Sequence, residues 1–269
     1  MGSCNSTPTP SSPIPDEEDF EIEDGVIVGL LARARGAVVL PAGIKGIGEE
    51  IFEDQDLRSL TLPDTLTSIG HAAFRGCEYL TSLTIPDSVT RIDECAFMNC
   101  TSLTSLTLPR TLTSIKGSVF SSCTALTALT LPNTVTHVEH DAFGKCTSLT
   151  SLTLPDTVTK VGVWAFQNCS KLASLSLPYA LTDFGKEAFK NCSALTSVVF
   201  RPSSLSREVF ILWAVSSSRN HDNWEMTSMN RLRNVLQLVA AFAFEIRDIN
   251  TIVDSSGNKT VFRGCTGLQ

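Results

Sequence analysis

The chain lacks several features that mark common classes of protein. It contains no run of about 18 or more apolar residues, so a membrane-spanning helix is not predicted. The N-terminus, MGSCNSTPTPSSPIP, has neither a basic start nor an apolar core, which disfavours secretion by a standard signal. No P-loop, G-x-S-x-G, H-E-x-x-H or dinucleotide-binding fingerprint occurs, so the sequence predicts neither an enzyme nor a bound cofactor.

An excess of basic charge is also missing. The chain has 21 Lys and Arg against 28 Asp and Glu, which gives a formal net charge of −7. Seven of the acids fall within residues 16–24, and the remaining 21 balance the 21 bases. A near-neutral remainder offers no continuous basic stripe of the kind that neutralises phosphates, so no nucleic-acid partner is predicted. We interpret the acidic run as a solvated lead-in to the folded part.

What the chain has instead is a repeat of 23 residues. Proline, phenylalanine and cysteine each recur at this spacing, in the three series Pro63, Pro86, Pro109, Pro132, Pro155, Pro178; Phe74, Phe97, Phe120, Phe143, Phe166, Phe189; and Cys77, Cys100, Cys123, Cys146, Cys169, Cys192. A period between about 20 and 50 residues is the signature of a solenoid whose turns stack on their neighbours. We expect the phenylalanines to form one aromatic column through the core.

Each repeat divides into a strand and a return path. Leu80, Leu83 and Ile85 alternate with polar residues as in a short half-buried strand, and Pro86 then ends it because proline cannot donate to a ladder. Stacking of such strands predicts one parallel sheet of about eight strands between residues 38 and 200. The fold class predicted from these patterns is a repeat solenoid with a single parallel sheet.

These repeats resemble the BspA-like leucine-rich repeats. The resemblance covers residues 38–200 and rests on whole turns such as residues 80–100. It implies a right-handed open solenoid, or horseshoe, that is used for binding, in a family that includes surface adhesins. The chain departs from the commonest leucine-rich-repeat pattern because Ser88 stands where Asn or Cys is usual, so the resemblance defines the fold better than the function.

Five segments are predicted: a disordered Ser/Pro-rich and acidic tail (1–19), N-terminal cap strands (20–37), the leucine-rich-repeat solenoid of about eight turns (38–200), a non-repeat segment (201–260) and a partial repeat (261–269). Within the non-repeat segment, apolar residues at spacings of three and four predict an amphipathic helix near 227–247 that covers the end of the solenoid. The partial repeat leaves open whether it is a remnant or the start of further turns.

The outer face of the predicted sheet is the expected binding surface for a protein ligand. It carries a ladder of hydroxyl groups from Ser82, Thr84, Ser105, Thr107, Thr130, Ser151 and Thr153. Arg91, His137 and Lys160 belong to a column whose charge varies along the solenoid, and Trp164 and Tyr179 replace residues that are polar in most turns. Threonine also suits an exposed strand for solubility alone, and an ice-binding hydroxyl array is a more remote alternative.

Two further sets of residues can be explained by packing or solvation alone as well as by a function. The cysteine column matches no zinc spacing and predicts buried, reduced packing, with disulfides between neighbouring turns as the alternative in an oxidising compartment. His137, Glu139, His140 and Asp141 are the one sequence cluster with ligand chemistry, and we interpret them as solvated side chains. No metal is therefore predicted.

The first residues match the N-myristoylation pattern M-G-x-x-x-[ST], with Gly2 as acceptor and Cys4 as a palmitoylation site that would supply the second anchoring signal. The sequence favours a cytoplasmic protein-binding scaffold, which would be tethered to the inner membrane leaflet if it is acylated. The alternative is a secreted or cell-surface adhesin with oxidised cysteines and with glycans on Asn99, Asn168 and Asn191. The sequence predicts neither the identity of the protein ligand nor the oligomeric state.

Overall fold

The structure is a computed structural model that describes residues 19–178, 180–201, 263 and 265. These residues form 17 β-strands and no α-helix, and none of them belongs to a helix able to cross a membrane. The helix predicted near 227–247 lies outside the described residues.

The strands recur at a regular interval along the chain. Their bounds are β1 Phe20–Glu23, β2 Val26–Leu30, β3 Arg35–Val39, β4 Gly46–Ile47, β5 Asp56–Thr61, β6 Ser68–Ile69, β7 Ser82–Thr84, β8 Arg91–Ile92, β9 Ser105–Thr107, β10 Ser114–Ile115, β11 Ala128–Thr130, β12 His137–Val138, β13 Ser151–Thr153, β14 Lys160–Val161, β15 Ser174–Pro178, β16 Asp183–Phe184 and β17 Ser197–Arg201. From β3 onward, odd strands pair only with odd strands and even strands only with even strands, so two separate stacks of strands run along the molecule.

The odd strands β3 to β17 form what we call the front sheet. Its strands run parallel and in register, so that Leu129 lies beside Leu152 and Leu152 lies beside Leu175. The central leucine of each strand is buried or nearly so, while the residues on either side face outward, because successive side chains of a strand alternate between two faces. The predicted parallel solenoid of about eight turns is confirmed.

A second ladder, which we call the return ladder, was not predicted. It consists of the even strands β2 to β16, mostly two residues long, hydrogen-bonded as β2-β4-β6-β8 and β10-β12-β14-β16. The second residue of each strand is buried, as Ile69, Val138 and Val161 show. Two residues are too few to display the alternation by which a strand is recognised in sequence. The expectation of a single sheet was therefore incomplete.

Between the return ladder and the cysteine of each turn lies the phenylalanine column. Neighbouring rings of Phe52, Phe74, Phe97, Phe120, Phe143, Phe166 and Phe189 are stacked with centroids 5.0–5.6 Å apart and planes within 13° of parallel. All seven rings are completely buried. They form the continuous aromatic column that the repeat predicted.

Two columns of residues with a left-handed backbone conformation, that is with positive φ, flank the phenylalanine rings. In one turn, Cys95 and Asn99 have φ values of 58° and 61° on either side of Phe97. The backbone N–H groups of these three residues donate to carbonyl oxygens of the next turn, at 3.1, 2.9 and 2.9 Å. Left-handed backbone costs about 1–2 kcal/mol for an ordinary residue, so these bonds between turns offset a local strain that recurs in every repeat.

A hairpin stands at the N-terminal end of the return ladder. Strands β1 and β2 are antiparallel and joined by Asp24 and Gly25, whose φ values of 51° and 80° fit a tight type I′ turn. Phe20 and Ile27 are buried, and β2 then pairs with β4 in the parallel sense.

At the other end, the chain returns to the solenoid after residues 202–262. The Asn191 N–H donates to the Arg263 carbonyl at 2.6 Å, as the Asn168 N–H donates to the Lys190 carbonyl one turn earlier. The Cys265 thiol contacts the Phe189 carbonyl, as the Cys192 thiol contacts that of Phe166. Arg263 and Cys265 therefore occupy the next turn in register.

Candidate functional site

The outward side chains of the front sheet form two parallel columns, which we call the hydroxyl face. They are Ser59, Ser82, Ser105, Ala128, Ser151, Ser174 in one column and Thr61, Thr84, Thr107, Thr130, Thr153, Ser176 in the other. Residues two apart on a strand lie about 6.8 Å apart, and turns repeat at about 4.8 Å, so the hydroxyls form a nearly rectangular array. The front-sheet strands β7, β9, β11, β13 and β15 carry no charged residue.

Hydroxyls on this face differ in one respect from most other threonines of the solenoid. None of them has a protein hydrogen-bond partner within the part of the chain that the structure describes. By contrast, Thr104 and Thr150 at the strand starts donate to backbone oxygens one turn earlier, at 2.9 and 3.3 Å. Thr136, which immediately precedes β12 of the return ladder, does the same at 3.0 Å. The hydroxyl face therefore presents donors and acceptors that the fold itself does not use.

Apolar residues bound the threonine column at both ends. Val39 lies beside Thr61, and Val199 lies beside Ser176. The two valines are 47% and 46% exposed, which is high for valine and makes the ends of the face less polar than its centre.

A shallow groove crosses the middle of the hydroxyl face. Its walls include Ala128, Thr130, Ser151 and Thr153, its rim includes Asn133, and its volume is about 710 Å³. Ala128 replaces the serine found in the neighbouring turns, and the ladder is interrupted between β9 and β11. The small Ala128 side chain leaves more space here than the serine of a neighbouring turn would.

Tyr79 was missed as a site residue by sequence reasoning. It lies just before β7, is 52% exposed and packs its ring 6.0 Å from the Arg58 guanidinium. Other turns have Ser, Ala or Lys at this position, so the departure from the repeat was the available signal. Tyrosine beside arginine is a pairing common at protein interfaces.

The structure does not bring all the predicted site residues together. The seven predicted hydroxyls lie on the hydroxyl face, but Arg91, His137 and Lys160 lie on the return ladder. Arg91 pairs with Asp93 at 2.7 Å, and Lys160 pairs with Asp183 in the next turn at 3.3 Å. Tyr179, Gly2 and Cys4 lie outside the described residues.

Trp164 lies in a third place, beside the phenylalanine column. Its indole N–H donates to Glu187 at 3.1 Å, and Glu187 also binds Lys190 at 2.8 Å and Arg263 at 3.2 Å. The hydrogen bonds from Lys190 and then Trp164 lower the pKa of the almost completely buried Glu187 to about 2. This arrangement binds the returning chain to the solenoid, and it leaves the indole ring 44% exposed.

The cysteines of the column are free thiols. Seven of them donate to phenylalanine carbonyls of the preceding turn at 3.1–3.4 Å, and the eight cysteines among the described residues are free. Burial raises the pKa of the Cys77 thiol to about 12 and raises the pKa of Cys100 and Cys123 well above the ordinary value. Such thiols stay protonated and are poor nucleophiles.

The histidine and carboxylate cluster is dispersed over separate partners. Glu139 pairs with Lys116 at 2.9 Å, while Asp141 accepts from Ser121 and Gln167 in the turns before and after, both at 2.9 Å. Among the described residues, no group of three His, Cys, Asp or Glu side chains is placed to hold a metal ion.

Three asparagines that begin formal glycosylation sequons occupy one of the left-handed columns. Asn99, Asn168 and Asn191 have φ values of 58–61°, which asparagine tolerates better than most residues. The Asn191 amide donates to the Asn168 side chain at 2.9 Å. The backbone conformation is therefore sufficient to explain why asparagine recurs here.

A parallel solenoid with one L-x-x-L-x-L strand in each turn defines a leucine-rich-repeat protein. The sequence profile of the BspA type leucine rich repeat region matches residues 36–146 and 118–211, in six copies. The chain therefore belongs to the BspA-type leucine-rich-repeat family, as the resemblance of its repeats indicated.

Solved structures of bacterial proteins share this fold. The T. pallidum leucine rich repeat protein TpLRR is 30% identical with a TM-score of 0.63, over 74% of this chain and 96% of that one. A leucine-rich repeat protein from Eubacterium ventriosum is 26% identical with a TM-score of 0.59, over 68% and 49%. One from Bacteroides ovatus is 24% identical with a TM-score of 0.54, over 66% and 56%. No curated protein matches the chain.

Proposed function

We propose that the protein is a recognition scaffold whose hydroxyl face binds a protein ligand. The observation that carries this proposal is the difference between two sets of hydroxyl groups. Most threonines elsewhere in the solenoid donate to backbone oxygens, whereas those of the hydroxyl face have no protein partner among the described residues. A surface of unsatisfied donors and acceptors on a rigid sheet suits a ligand that supplies complementary polar groups.

The expected ligand surface is polar but weakly charged. The front-sheet strands β7, β9, β11, β13 and β15 contribute no charge, so long-range attraction plays little part in the encounter. Hydrogen bonds would align the ligand along the columns, while the exposed Tyr79 and the groove at Ala128 supply apolar contact. The affinity is therefore expected to change little between low and high salt.

Photocrosslinking from single positions tests this proposal in the native cell. A photoreactive residue at Thr107 or Thr130 should capture the same protein, while one at His137 on the return ladder should not. The captured protein is then titrated against purified variants. Thr130→Lys should weaken its binding by roughly tenfold or more because it places a charge on the uncharged face, and His137→Lys is the matched control. Equal loss in both variants would contradict the proposal.

The same face would serve a cell-surface adhesin, which is the second candidate. This candidate was expected to have oxidised cysteines, but it is compatible with reduced ones, since the six thiols at zero exposure are shielded from soluble oxidants. Intact mass spectrometry of the native protein separates the compartments. A myristoyl group on Gly2 would indicate an intracellular, membrane-tethered scaffold, whereas glycans on the sequons would indicate a surface protein.

A further inference from the structure

The two ends of the solenoid carry opposite charge. Residues 19–57, which form the hairpin and the first turn, contain nine acidic and three basic side chains. Residues 158–201 together with Arg263 contain six basic and two acidic ones. Over the whole sequence the contrast persists, with twelve acids and three bases in residues 1–57 but eight acids and twelve bases in residues 158–269. The net charge of −7 therefore conceals a gradient along the axis.

Much of this charge is not neutralised locally. Glu49 and Glu50 at the N-terminal end and Lys171 and Lys186 near the C-terminal end are all exposed, and none of the four forms an ion pair within the described part of the chain. Each end thus has side chains available to an oppositely charged surface.

The N-terminal end also offers apolar surface. Of the eight exposed large apolar side chains among the described residues, four lie within residues 22–39, and Leu31 is 69% exposed. A recess of about 750 Å³ lies between the β2–β3 connection and the first turn. Leu30, Leu31 and Ile51 contribute apolar surface to it. Its charged residues are four acids and one base: Glu49, Glu50, Glu53, Asp54 and Arg33.

Strand edges add to the contact that this end can make. Within the described residues, β1, which pairs with β2 of the return ladder, and β3 of the front sheet each have a strand neighbour on one side only. A β-strand with an unpaired edge is a template for another chain unless charge or cover prevents it. Here the acidic residues prevent pairing with a like-charged end and permit pairing with a basic one.

We propose that the N-terminal end of one molecule docks on the basic C-terminal end of a second copy of the same chain. The contact is head to tail, so each added copy leaves one end of each kind free and the association continues into a linear array. Such an array extends the hydroxyl face and displays it several times, which strengthens binding to a ligand that repeats. This inference goes beyond the proposed recognition function and does not depend on it.

Sedimentation velocity of the full chain tests the proposal over a range of concentrations and salt. At roughly 20 mM salt the weight-average sedimentation coefficient should rise with concentration, and at roughly 0.5 M salt it should stay at the monomer value because the charges are screened. A monomer at every concentration in low salt would overturn the proposal, and so would association that is unaffected by salt.

Two charge-reversed variants test which ends meet. The head variant Glu49→Lys with Glu50→Lys and the tail variant Lys171→Glu with Lys186→Glu should each self-associate roughly tenfold more weakly, because both ends then approach the same sign. An equimolar mixture should recover association at least to the heterodimer, since the unaltered acidic head of the tail variant meets the unaltered basic tail of the head variant. Recovery excludes misfolding as the cause, and failure to recover with both variants folded by circular dichroism would overturn the proposal. Thr130→Lys on the hydroxyl face should leave self-association unchanged.

Discussion

Threonines that immediately precede the strands of the return ladder and threonines of the hydroxyl face lie in the same turns, yet their hydroxyl groups have different environments. Thr136 donates to the Thr113 carbonyl at 3.0 Å, and Thr159 and Thr182 continue the series at 3.3 Å each. Thr130 and Thr153 are exposed and have no such bond in the described structure. Identical residue types at an identical period thus support the fold in one region and remain available to a ligand in the other.

The largest expected effect comes from the interior that both regions share. Phe120→Ala should lower the free energy of unfolding by about 3–5 kcal/mol, because a completely buried ring stacked between Phe97 and Phe143 leaves a cavity. Chemical denaturation measures this change. Ser105→Ala on the hydroxyl face is the control and should change stability by less than about 0.5 kcal/mol. Similar losses in the two variants would mean that the column is not the core of the solenoid.

Glu187 should give the next largest effect, and one that depends on pH. Its pKa of about 2 in the folded protein lies below the ordinary value of 4.5, so its ionised form stabilises the fold above about pH 4.5. That contribution is lost as the pH falls from 4.5 towards 2. Glu187→Gln should cost about 1–2 kcal/mol at pH 7 through weaker bonds to Lys190, Trp164 and Arg263. Unfolding curves at several pH values should converge for the two proteins near pH 2, and a constant difference would argue against an ionised Glu187.

A matched pair of threonine variants tests the comparison directly. Thr136→Val removes the hydroxyl that bonds the Thr113 carbonyl and should cost about 0.5–1 kcal/mol, since that carbonyl keeps its bond from the Thr136 N–H. Thr130→Val removes an exposed hydroxyl and should change stability by less than about 0.5 kcal/mol while it weakens ligand binding. Thermal unfolding of both variants measures the two changes in stability. A larger loss in Thr130→Val than in Thr136→Val would contradict the comparison.

Ser88 provides the smallest effect, with the opposite sign. Its hydroxyl is buried without a partner, although Thr134 and Thr157 at the same position in other turns donate to backbone oxygens at 2.7 Å. Ser88→Ala should therefore raise stability by up to about 1 kcal/mol, because it removes a buried unsatisfied group. Thr134→Ala is the matched control and should lower stability. A loss of stability in Ser88→Ala would indicate a partner for this hydroxyl.

Sequence reasoning succeeded where one property repeats in every turn. The 23-residue spacing predicted the solenoid, the position of the front strands and the burial of the phenylalanine and cysteine columns. It did not separate the hydroxyls of Thr130 from those of Thr136, because residue type and period are the same and only the surrounding backbone differs. It also grouped Trp164 with the binding surface, although that side chain bonds to Glu187 beside the phenylalanine column.

Contacts between distant residues carried no signal in the sequence. Glu187 and Arg263 are 76 residues apart and meet because the chain resumes the solenoid after residues 202–262. The left-handed columns were readable in principle, since Gly76 and Asn99 mark one of them. Lys145 in that column and Trp164 in the other obscured the pattern, because neither residue type favours the left-handed conformation.

Arg263 and Cys265 keep the register of the stacked turns although a long segment of chain precedes them. Between Pro178 and Lys190 the chain uses 11 residues, whereas between Arg201 and Arg263 it uses 61, yet the contacts made on re-entry are of the same kind. The register of the stacked turns therefore does not depend on the number of residues between Arg201 and Arg263. This point in the turn can accept a foreign domain as a fusion partner without shifting the turns on either side.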